Sequence, residues 1–105
     1  MTDILSPQKV REAQKVVNQI AFAYKQAADD YEIEALVPKW WRRLAARWAG
    51  YIVNGTLDLD TIRESFTIAC SMTAIGSVDN DSTFRYAAGI VRNKHFNAQD
   101  VEDHG

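Results

Sequence analysis

Between Val10 and Tyr31, apolar side chains return at alternating steps of three and four: Val10, Ala13, Val17, Ile20, Tyr24, Ala27 and Tyr31. A repeat of about 3.5 residues keeps one stripe of a helix facing one direction, which suits lengthwise packing in a bundle or coiled coil. A strand cannot use that spacing, because its side chains change face at every residue. Ser6-Pro7 supplies the start, a side-chain acceptor followed by a residue that needs no amide partner. The pattern blurs around Asp29–Ile33, and Pro38 disfavours helix at Val37. The first helix is therefore predicted over 7–30, with 31–37 as a connector. Tyr31–Ala35 holds the one candidate for period-two alternation, a strand without an obvious mate.

Three further helices follow. Pro38 suits a first helical turn, which predicts a second helix over 38–53. At about 100° per residue, Trp41, Leu44, Ala45, Trp48, Tyr51 and Ile52 form one broad apolar face. Lys39, Arg42, Arg43 and Arg47 occupy the other side, with Trp40 at the border beside Arg47. Asn54-Gly55 is a stop, since both residues accept left-handed backbone. A third helix over 59–75 carries Asp60 and Glu64 near its positive end, after Asp58, and a stripe of Ile62, Phe66, Ala69, Cys70 and Thr73. After Gly76, with Asp81 or Ser82 as cap, a fourth helix is predicted over 82–96, with Phe84, Ala87, Ala88 and Val91 inward. The expectation is an all-α bundle of about four helices. It forms one domain over 1–105, with 1–5 and 97–105 as flexible tails.

Composition agrees with that class. The 105 residues are 47% hydrophobic and 25% charged, the balance of a globule rather than a disordered chain. Five Gly and two Pro are too few for a many-stranded fold rich in turns. No signal-peptide pattern and no apolar run of about 20 residues is present, which predicts a cytoplasmic protein without a membrane partner.

Little of the sequence points to catalysis. The single cysteine, Cys70, lies on the inward stripe and reads as a small buried hydrophobe rather than a nucleophile. His95 and His104 have no ligand spacing around them, so neither a metal nor another cofactor is expected. Asp79-Asn80-Asp81-Ser82-Thr83 resembles a calcium loop only briefly: Phe84 stands where the loop needs glycine, and Ile90 where it needs glutamate. No phosphate-cradling glycine loop or nucleophile elbow occurs. The chain is expected to be no enzyme and to have no small-molecule substrate.

Charge is the remaining signal. The net charge is −2, yet 35–57 contains Lys39, Arg42, Arg43 and Arg47 with no acid, and 84–96 contains Arg85, Arg92 and Lys94. Such segments make local basic surfaces on a mildly acidic protein. Lys39-Trp40-Trp41-Arg42-Arg43 combines cations, which neutralise phosphates, with rings on which bases stack. Trp40 is the indole expected at the surface, while Trp41 and Trp48 read as core. On the fourth helix Arg85, Arg92 and His95 share a side, with Gly89 between them either opening the backbone or permitting tight helix packing. Lys94 points elsewhere. The ordinary alternative for these arginines is a solvated helix face paired with acidic loops.

Trp48 and Gly55, then Asp60, Ile62 and Ala69, then Phe84-Arg85-Tyr86-Ala87-Ala88-Gly89-Ile90-Val91-Arg92-Asn93 make a recognisable succession. Over 44–96 it resembles the C-terminal module of DnaD-type replication initiation proteins, the primosomal helicase loaders also common in phage and plasmid replication genes. Tyr86, Ile90 and Asn93 fall on the matching motif positions; Val91 stands for Leu, and Lys94 for the terminal Trp. The first 40 residues have no counterpart and no winged-helix segment is present. The resemblance implies a role at replication origins, with the last helix and following tail touching DNA.

Two functions are expected from these features. One is a small nucleic-acid-binding accessory protein of phage or plasmid replication, its DNA (single-stranded or duplex) held by Lys39, Trp40, Arg42, Arg43, Arg47, Arg85, Tyr86, Arg92 and Asn93. The other is a protein–protein interaction module, such as a phage-encoded inhibitor or assembly adaptor, in which the first-helix seam forms a homodimer or grips a host protein; a replication protein is the partner expected in place of DNA.

Overall fold

A computed structural model describes the backbone of residues 7–104 and the side chains of residues 7–95. The expected all-α architecture is present: α1 (Pro7–Asp30), α2 (Trp41–Val53), α3 (Leu59–Ala74) and α4 (Thr83–His104), with a short 3-10 turn at Asn80–Ser82 and no strand among the described residues. Tyr31–Ala35 is irregular connector, not strand. Ser6, the expected cap of α1, and the expected tail 1–5 lie outside the described residues.

Glycine and its substitutes end the helices. Gly55 has φ +82° and its N–H bonds to the Ile52 carbonyl, while the Thr56 N–H reaches back to Tyr51. That pair of bonds is a Schellman motif, and Gly76 builds the same one after α3. Asn54, expected to share the left-handed conformation, is instead right-handed at φ −82°; one left-handed residue completes the motif. After α1 the same position falls to Glu32, with φ 56°.

Four boundaries differ from expectation. Pro38 does not begin α2: its carbonyl accepts from the Trp41 N–H across a single turn, and the first α-type bond runs from the Leu44 N–H to Trp40. Proline thus sits at the first position of a turn that precedes the helix, with Lys39 and Trp40 as the central turn residues. α4 runs beyond 96 to His104, because 97–104 contains neither Gly nor Pro to stop it. α3 stops at Ala74, one residue short of expectation, with Ile75 as its cap. α4 begins at Thr83 rather than 82; the Thr83 hydroxyl donates to the Asn80 carbonyl and shares a 2.6 Å hydrogen bond with Thr73.

Burial of aromatic rings holds the bundle together. Phe84 is fully buried and sits amid Tyr24, Trp48 and Phe66, with ring centroids 5.3, 6.0 and 5.8 Å away, and Trp40 meets it edge-on at 5.9 Å. Ile20, Ala28, Ala45, Ile62, Ala69, Cys70, Ala87 and Val91 close the remaining space. Burying each large side chain contributes about 1.5–3 kcal/mol. α1 packs on α2, α3 on α4, and α1 on α3. The connector is tied down by the Tyr24 hydroxyl, which donates a 2.6 Å hydrogen bond to the Leu36 carbonyl. This bond explains the tyrosine at a buried seam position between Ile20 and Ala27: it fills the core and satisfies a loop carbonyl.

α1 is longer than its neighbours can cover. Its 24 residues span about 36 Å, against about 20 Å for the 13 of α2. Ile20, Tyr24, Ala27 and Ala28 are buried, Val16 and Val17 half-buried, and Val10 exposed. The seam therefore packs within the chain from Val17 to Ala27 and runs past it toward Val10. At its other end Tyr31, expected in the seam, is exposed.

Candidate nucleic-acid interface

α2 and α4 lie across from one another over an open groove of about 600 Å³. Its lining is set by helical spacing. Leu44, Arg47, Trp48 and Tyr51 come from α2, with Trp40 at its cap; Arg85, Ala88, Gly89, Val91, Arg92 and His95 come from α4; Leu57 contributes from the connecting turn. On α4 these polar positions are seven and three residues apart, so Arg85, Arg92 and His95 project along one side, as the sequence spacing predicts.

Three guanidiniums thus meet over an apolar floor, and among the described residues no aspartate or glutamate lines the groove. Among the described residues the ion pairs are Arg63 with Asp60 at 3.1 Å and Lys94 with Glu64 at 3.3 Å. Arg47, Arg85 and Arg92 take part in neither. The reading that these arginines pair with acidic loops therefore does not hold for the groove. Lys94 points away from it, as expected.

Aromatic rings bound the groove at both ends. The Arg85 guanidinium stands 6.0 Å from the centre of the Trp40 ring, a cation–π distance. Trp40 remains 37% exposed, so its indole is the accessible one. At the other end Tyr51 stacks on His95, centroids 5.0 Å apart and planes at 21°. Trp48 is buried but lies beneath the opening, joining core and floor.

The structure does not gather all the expected residues. Arg42 turns its guanidinium over Trp41, 5.3 Å from the ring centre, away from the groove. Arg43 and Lys39 are exposed without lining it, Arg43 lying one turn before Arg47 on the same flank. Tyr86 and Asn93, the positions drawn from the resemblance, lie about 100° around α4 from Arg85 and Arg92 and are likewise absent from the lining. The broad basic surface expected of α2 is therefore divided. Buried Ala45, Trp48 and Ala49 set the helix rotation, and that rotation turns Arg47 inward and Arg42 outward. Tyr51, which the sequence places on the apolar face of α2, and Leu57 also line the groove. The signal that could have found Tyr51 is its spacing of four and seven residues from Arg47 and Leu44.

Among the described residues, no group of three or more His, Cys, Asp or Glu is placed to hold a metal ion, and no helix is long and apolar enough to cross a membrane. Cys70 is fully buried, and burial followed by the nearby Asp30 carboxylate pushes its thiol up to about 11. A thiol so protonated is a weak nucleophile at neutral pH. No protein-family model, curated protein or solved structure matches this chain.

Proposed function

We propose that this is a small, non-enzymatic nucleic-acid-binding accessory protein, active in phage or plasmid DNA replication, that holds its ligand in the α2/α4 groove. The observation that carries this reading is the convergence of Arg47, Arg85 and Arg92 on one apolar-floored opening, with no facing carboxylate among the described residues. Cations held together at a surface attract a polyanion, and guanidiniums bind phosphate oxygens through paired donors. The DnaD-like succession over 44–96 supports replication as the setting, although Tyr86 and Asn93 stand on a separate flank of α4.

Fluorescence anisotropy with labelled DNA at several salt concentrations tests the assignment. Arg47→Ala and Arg92→Ala are each expected to weaken binding and to flatten the salt dependence by about 0.7–0.9 in log–log slope. Arg42→Ala is the control and should change little. Unaltered affinity and slope in both groove variants would remove the proposal.

A second reading, protein–protein interaction through α1, is favoured by one observation: the apolar seam continues toward Val10 beyond the reach of α2. Sedimentation of a dimer that does not bind DNA, and that Val10→Glu returns to monomer, would favour it over the first.

A further inference from the structure

We infer that the groove receives an unpaired nucleobase of a single-stranded nucleic acid, and that Gly89 is the residue that makes room for it. This rests on the groove being the phosphate-binding face. Gly89 lies four residues after Arg85 and three before Arg92, so it occupies the same side of α4, between the two guanidiniums. A glycine inside a helix is disfavoured relative to alanine, and close backbone packing is the usual compensation. Here that compensation is missing: a Cβ at Gly89 would meet no atom within 4 Å. The absent side chain leaves an exposed depression over Trp48, Leu57 and Ala88, a floor that is apolar and partly aromatic.

The occupant follows from shape and charge together. Arg85 and Arg92 are about 10 Å apart along the helix, with Arg47 on the opposite wall. Phosphates seated on those guanidiniums put the connecting nucleotide over the depression. A duplex keeps its bases stacked inside and presents a rod too broad to lower one between two helices. A single strand turns a base inward freely, and its π-face then finds the apolar floor, with Trp40 at one end and the Tyr51–His95 stack at the other. The rings select for an exposed base without selecting which one.

The full-length chain is titrated with two probes, an oligothymidylate of about twelve nucleotides and a hairpin duplex of similar length, with circular dichroism to verify folding. Gly89→Leu is expected to weaken oligothymidylate binding about tenfold or more while leaving the hairpin within about twofold. Gly89→Ala, which favours the helix, should move the same way by a smaller factor. A folded Gly89→Leu protein with wild-type affinity for the oligothymidylate overturns the inference, as does an equal loss on both probes. Should the leucine variant fail to fold, an alanine variant that binds like wild type overturns it instead. Loss of binding in Arg47→Ala and Arg92→Ala without any effect at Gly89 keeps the interface and discards the base subsite. Insensitivity to the arginines discards the interface itself.

Discussion

Glu32 carries a conformational cost that its neighbours impose. Among the described residues it is the non-glycine residue with positive φ, 56°, because the bonds from the Glu32 and Ile33 N–H groups to Asp29 and Ala28 require left-handed backbone there. A side chain in that region costs about 1–2 kcal/mol, partly offset in glycine by greater freedom of the unfolded chain. Glu32→Gly is expected to raise stability by about 1 kcal/mol, read as a higher denaturation midpoint. Cys70 makes the alkaline limit predictable. Its folded thiol titrates at about 11 against an ordinary 9.0, so between those values the unfolded chain loses its proton while the native chain keeps it. Stability is then complete below about pH 9 and declines as pH rises toward 11, by on the order of 2 kcal/mol. Urea midpoints across that range should fall, and Cys70→Ala should flatten the decline. Part of the slope above pH 10 remains, since burial and the neighbouring Cys70 also hold the Tyr24 hydroxyl above its usual value of 10.0.

Elements differ in how firmly they belong to the core, and α1 shows both extremes. Ile20 is fully buried, whereas Val10 is 41% exposed, although both occupy the same periodic stripe. Ile20→Ala should cost about 2–5 kcal/mol, and Val10→Ala no more than about 0.5 kcal/mol, both measured by thermal or chemical melting. That contrast was not legible in the periodicity, which records what a helix offers and not how long its partners are. The four helices themselves were legible, because the period from Val10 to Ala27 and the stops at Gly55 and Gly76 act locally. Pro38 was misplaced by a turn because proline is equally at home just before a helix and at its first residue. Around α4, Arg85 and Arg92 could be grouped from spacing alone. Around α2 they could not, since Lys39, Arg42, Arg43 and Arg47 cover a wide arc and only the packing of Ala45, Trp48 and Ala49 decides which cation faces α4.

At the scale of the molecule, the chain is two helix pairs, α1 with α2 and α3 with α4, joined through the contact of α1 with α3. The opening between α2 and α4 is where the two pairs spread apart. Its cations come from one member of each pair, and their separation is set beneath the floor, where Phe84 of α4 meets Trp48 of α2 with ring centroids 6.0 Å apart. The arrangement works like a caliper: the jaws carry the arginines, and the pivot holds Phe84, a fully buried ring that lines no part of the groove. A change in the bulk of that ring would therefore reset the spacing of the jaws, tuning what they can grip without altering a single charge.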